Sequence, residues 1–152
     1  MSVPAGLEPI HIRFDVDCDA RQAFDLWTTR TSLWWPVSHT VSTEGGFEVI
    51  FEPRPGGRIF ERTPDGTEHE WGEILEWEPP RRLVYLWHLR ADRADATEVE
   101  IRFTTRPMGT QVEIEHRGWD RLGAASIPRR EANLAGWGGL LPHYRVLANK
   151  GR

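Results

Sequence analysis

The chain of 152 residues contains one cysteine, Cys18, so no internal disulfide can form and packing must hold the core. Every apolar run is far shorter than the roughly 20 residues a membrane-crossing helix needs. No basic run stands out and the net charge is only −4, which argues against a nucleic-acid footprint. The opening MSVPAGLEPI lacks a basic segment followed by an apolar one, so no secretory leader is expected. H-x-x-x-H and H-E-x-x-H pairs are missing, which removes the usual zinc spacings. Ser32, Ser38, Ser42 and Ser126 belong to no G-x-S-x-G elbow. Gly45-Gly46 and Gly56-Gly57 lack the Lys-Ser/Thr of a phosphate loop and read as hairpin turns. Cys18 lies between Asp17 and Asp19, which should raise its pKa, so it reads as inert. The expectation is one cytoplasmic domain over 1–152, without metal, cofactor or membrane insertion.

Eight tryptophans are the unusual presence. They admit two readings: a Trp-rich core with some rings half exposed, or an aromatic-lined cavity. The stretch 53–89 organises the rest. Pro55-Gly56-Gly57 and Pro64-Asp65-Gly66 set turns, and Pro79-Pro80 stops a run, so three short runs become an antiparallel meander. Its bulky side chains are Phe60, Trp71, Ile74, Trp77, Leu83, Tyr85 and Trp87.

Upstream, Ile10, Ile12, Phe14 and Val16 alternate with polar neighbours, a half-buried strand. Asp19 and Gln22 form a capping box for a helix whose inner stripe is Ala20, Ala23, Phe24 and Trp27. A second short helix starts at Thr31 or Ser32 and stops at Pro36; Val37 to Gly46 reads as a loop. Phe47, Val49 and Phe51 share a strand face. Downstream, 90–97 is a polar link, and 98–104 and 110–117 form a hairpin across Pro107-Met108-Gly109. Leu134, Trp137, Leu141, Tyr144 and Ala148 recur at helical spacing, predicting a helix over 129–149 that bends or starts late around Pro142. The class is α+β: a curved antiparallel sheet of about seven strands, two short N-terminal helices, and a long C-terminal helix over a cavity.

Several ordered motifs sharpen this. They are Pro55-Gly56-Gly57, Asp65-Gly66, Gly72 with Ile74 and Glu76, Pro79-Pro80 with Leu83-Val84-Tyr85 and Trp87, Gly109-Thr110, His116 with Gly118-Trp119, and Gly136-Trp137. With Ala23-Phe24, Trp27 and Trp34-Trp35, the set resembles the START-like (SRPBCC) superfamily. Within it, the nearest branch is named for homologues of the activator of the ninety-kilodalton heat-shock-protein ATPase. The resemblance implies a helix-grip fold and a hydrophobic cavity. It extends to carriers, cyclases and a co-chaperone, so it leaves function open.

Three functions stay in play. The first is binding of a small apolar or amphipathic molecule, lined by Trp34, Trp35, Phe60, Trp87, Phe103, His116, Trp137 and Tyr144. The second is a cyclase- or hydrolase-like enzyme using His116 or Glu73 as acid/base; Glu73 shares strand parity with Trp71, so a cavity-facing Trp71 would bury it. The third is a co-chaperone-like module acting on a heat-shock ATPase. No catalytic residue is assigned, and a homodimer is compatible with all three.

Overall fold

The structure, a computed structural model, describes residues 5–149; the first four residues of the expected leaderless N-terminus, and 150–152, lie outside them. Seven strands form one antiparallel sheet: β1 (Ile10–Val16), β2 (Glu48–Phe51), β3 (Arg58–Arg62), β4 (Glu68–Glu78), β5 (Arg82–Trp87), β6 (Thr97–Arg106) and β7 (Gly109–Arg117). Their order is β1-β7-β6-β5-β4-β3-β2. Consecutive strands pair as hairpins or a meander from β2 to β7, and β1 closes onto β7. This is the α+β helix-grip arrangement the sequence implied.

The helix α1 (Ala20–Thr28) starts at the expected capping box: the Gln22 N–H donates to Asp19 Oδ1 at 2.8 Å. The second expected helix shrinks to a 3₁₀ turn, Thr31–Leu33, and the expected loop holds another, Val37–His39. The long helix α2 runs Ser126–Ala148. Pro142 lies inside it without ending it, although the Gly138 carbonyl loses the N–H it would otherwise accept.

The inner face of the sheet meets α1 and α2. Ile59, Trp71, Ile74, Leu83, Tyr85, Val99, Ile101, Val112 and Ile114 are buried there with Phe24, Trp27, Leu140, Leu141 and Tyr144. The Tyr144 hydroxyl donates to the Ala23 carbonyl at 2.7 Å, joining the two helices. The N-terminal half of α2 is anchored more lightly. Between Ile127 and Gly136 it buries no side chain, whereas Trp137, Leu140, Leu141, Tyr144 and Ala148 are buried beyond it.

The outer face is a lattice of charge. Glu100 is its centre, accepting from Arg82 Nε at 2.7 Å, Arg102 Nε at 2.7 Å and Arg117 at 2.8 Å. Burial pushes its pKa up, but the three guanidiniums outweigh that and hold it at about 2.

Candidate functional site

Two irregularities decide which side chains reach the interior. The β3–β4 pairing shifts between Ile59 and Phe60, so Trp71 is an extra residue on β4 and turns inward beside Gly72. A second shift, at Leu75, puts Ile74 and Trp77 inward as well. Parity with Trp71 therefore does not carry Glu73 inside. Glu73 pairs across the ladder with Leu86 and with Arg58, is about a third exposed, and is ion-paired with Arg93. The inward Trp71 that would have made Glu73 an interior acid is present, but the bulge leaves Glu73 outside and paired with an arginine.

The tryptophans mostly fill space. Trp27 meets Trp34 at 5.1 Å between ring centroids, Trp34 meets Trp35 at 5.4 Å, and Trp35 meets Trp71 at 4.8 Å. Tyr144 packs on Trp27 and Trp34 at 5.0 and 5.2 Å. Trp34 and Tyr144 are thus core residues. Phe103 packs on Phe24 at 5.4 Å, at another part of the core. Phe60 lies on the outer face, paired with Ile50 and Glu70; the Arg58 guanidinium covers its ring at 4.2 Å. Alternation wins here over size: Ile59 and Glu61 take the inner face.

His116 is wholly buried, one layer behind the helix. The Trp137 indole N–H donates to its Nδ1 at 3.0 Å. That leaves the hydrogen on Nε2, which donates to Thr97 Oγ1 at 2.7 Å. Burial pushes its pKa down to about 3. Both nitrogens are committed, so the ring is a neutral spacer rather than an acid or base. Nitrogen-15 NMR is expected to show one Nε2–H tautomer from pH 7 to 4.5; an imidazolium signal above pH 5 would overturn this. Because the folded value lies below the ordinary 6.5, the unfolded chain takes the proton first as pH falls. Stability from this group is present above about pH 6.5 and declines by roughly 1.4 kcal/mol per unit below it.

Beside α2 lies a cleft of about 410 Å³, one of several spaces in the molecule and the one walled by tryptophans. Three expected residues, Trp35, Trp87 and Trp137, line it with Leu89 and Leu140; Ser38, His39, Arg90, Asn133 and Arg129 give it polar edges. Four devices hold the 37–44 segment, which supplies one wall. The Trp35 indole N–H donates to the His39 carbonyl at 3.0 Å. The Thr43 N–H donates to Thr40 Oγ1 at 2.9 Å. Arg90 donates through Nε to the Thr40 carbonyl at 2.9 Å and through a terminal nitrogen to the Ser38 carbonyl at 3.1 Å. Glu61, fully buried, accepts from the Val41 N–H at 2.6 Å, Ser42 Oγ at 2.6 Å and the Trp71 indole at 2.8 Å. Sequence reasoning missed Glu61 and the rim. Glu61 could have been found, since Val49 and Phe51 share an apolar strand face and the Pro-Gly-Gly turn makes Glu61 and Ile59 their partners. Arg90 sat in a segment with no periodicity to read.

Among the described residues no group of three or more His, Cys, Asp or Glu is placed to hold a metal ion. Among the same residues no helix is long and apolar enough to cross a membrane.

The sequence profile of the family described as activator of Hsp90 ATPase homolog 1-like protein matches residues 17–141. Among solved structures, an anthrahydroquino-gamma-pyrone synthase is 34% identical; the alignment covers 82% of this chain and 85% of that one, with a TM-score of 0.57. CalU16 of Micromonospora echinospora is 24% identical over 97% of this chain and 78% of that one, TM-score 0.60. An AHSA1-like protein of Aeromonas hydrophila is 19% identical over 90% and 89%, TM-score 0.61. The last two speak for the fold alone. None of the curated protein sequences compared with the chain matches it.

Proposed function

The chain belongs to the activator of Hsp90 ATPase homolog 1-like family, and from that premise we propose that it binds a small, flat, mostly apolar molecule in the cleft beside α2. The observation that carries the reading is the lining. Trp35, Trp87 and Trp137 present ring surface to a space of about 410 Å³, and polar groups stand at its edges. That volume suits a two- or three-ring molecule. Each 100 Å² of apolar ligand surface withdrawn from water supplies about 2.5 kcal/mol. Titration with a hydroxyanthraquinone and with a medium-chain fatty acid, followed by tryptophan emission, tests it. The expected result is saturable quenching by the planar probe, lost in Trp137→Ala and Trp87→Ala. Unsaturable quenching, or quenching unchanged in both variants, would sink the reading.

A second reading, that the bound molecule is also converted, is favoured by the 34% identity to a protein named an anthrahydroquino-gamma-pyrone synthase. His116 and Glu73 are unsuited to acid/base work by their placement. The imidazole at the cleft edge is that of His39, whose Nδ1 lies 3.2 Å from Ser38 Oγ. Product formation from an anthrahydroquinone precursor that His39→Asn abolishes, with binding retained, would support conversion; equal turnover by that variant would remove His39 from it.

A further inference from the structure

We propose that the ligand of the cleft carries one acidic group, a carboxylate or an ionised enol or phenol, which docks against Arg90 and Arg129; the inference rests on the binding reading above. Most arginines of this chain are matched. Arg82, Arg102 and Arg117 share Glu100, Arg58 and Arg62 share Glu68, Arg93 has Glu73 and Arg130 has Glu8. Arg30, Arg90, Arg106, Arg121, Arg129 and Arg145 have no such partner among the described residues, and of these Arg90 and Arg129 are the two at the cleft. Among the described residues neither has a carboxylate within ion-pairing distance, and both line the cleft. Their known bonds go to carbonyls: Arg90 to Ser38 and Thr40, Arg129 to Asp95 at a long 3.5 Å. A guanidinium has five N–H donors. These contacts leave donors on each free for an acceptor from outside.

The backbone adds an independent sign. Arg90 sits at φ 63°, in the left-handed region, where a side chain costs about 1–2 kcal/mol and glycine or asparagine would be easier. The chain carries an arginine at a position whose geometry disfavours it, next to an apolar cleft. Strapping the 38–40 segment uses part of that side chain; its charge has no carboxylate within ion-pairing distance, although four carboxylates line the groove beside it.

The surroundings limit what the acid can be. The two arginines also line a wider polar groove of about 620 Å³, which they share with Glu68, Glu70, Asp92, Asp95 and His69. Those carboxylates repel a second negative charge further out. The site therefore selects a molecule with its acid at the edge of the apolar body, rather than a polyanion such as a nucleotide.

The test compares anthraquinone-2-carboxylate with the neutral 2-hydroxymethylanthraquinone, on wild type, Arg129→Gln and Arg129→Lys, by tryptophan quenching. Arg90 is left intact because it holds the cleft wall. Wild type is expected to favour the carboxylate by about tenfold, and more weakly as salt rises from 0.05 to 0.5 M. Arg129→Gln should lose most of that preference, the carboxylate's affinity falling toward that of the neutral probe, and Arg129→Lys should keep part of it. Equal affinity of wild type for both probes overturns this inference and leaves the cleft as a binding site. Failure of both probes to bind overturns the binding reading and the inference together.

Discussion

Glu61→Ala is expected to destabilise the protein by about 3–5 kcal/mol and to open one wall of the cleft before global unfolding. The carboxylate is buried without a cation. It is held instead by donors: the backbone N–H groups of Val41 and Ser42, the Ser42 hydroxyl and the Trp71 indole. Truncation to alanine leaves four donors facing a void, each costing about 1–3 kcal/mol when dry, less whatever water enters. Glu61→Gln keeps the shape but turns an N–H₂ toward groups that are themselves donors, so it should recover only part of the loss. Burial pushes the Glu61 pKa up; the hydrogen bonds outweigh this and leave it below the ordinary 4.5. A depressed folded value means the contribution is complete above about pH 4.5 and is lost as pH falls through the folded pKa. Urea denaturation at pH 7 and pH 3.5 checks both points. Wild type should lose stability between them, and the gap to Glu61→Ala should narrow at the lower pH. A variant within 1 kcal/mol of wild type at pH 7 would show that the carboxylate is not the anchor.

Glu61 also shows where sequence reasoning reached and stopped. Strand alternation located β1, β6 and β7 and their inner residues, because one face of each meets the core and the other carries charge. The capping box fixed the start of α1, and period 3.6 found α2 despite Pro142. Errors came where size competed with alternation, or where alternation broke. Phe60 was taken inward for its bulk, but a flat ring under Arg58 and Arg62 is well placed on an outer face, since cation–π contact and the arginine stems shield it. Glu73 was judged from Trp71 across a bulge that no periodicity discloses. Of the eight expected lining residues, Trp35, Trp87 and Trp137 meet at the cleft. The others are core or outer-face residues, because aromatic rings pack on one another before they line a void. The polar edge was illegible: Arg90 and Arg129 come together only through tertiary contact between the β5–β6 connection and α2.

Gly72→Ala is expected to be as damaging as Glu61→Ala, through geometry rather than hydrogen bonding. A Cβ at Gly72 would lie 2.0 Å from the Leu86 carbonyl oxygen and 3.1 Å from its carbon, both backbone atoms of the neighbouring strand. No rotamer relieves that contact. Either β4 and β5 separate by more than an ångström, losing ladder bonds, or the bulge at Trp71 straightens. Straightening would turn Trp71 outward, away from Trp35 and Trp87 and from the carboxylate it donates to. A cost of about 3 kcal/mol or more follows from either route. Gly138→Ala is the control, since a Cβ there meets nothing within 4 Å and helical alanine is favoured over glycine by up to about 1 kcal/mol. The Gly72 variant should show a lowered urea midpoint and red-shifted tryptophan emission, with planar-probe binding impaired; the Gly138 variant should match or exceed wild type in stability. If Gly72→Ala unfolds within 0.5 kcal/mol of wild type, the bulge does not hold Trp71 in place, and the cleft's aromatic wall has another support.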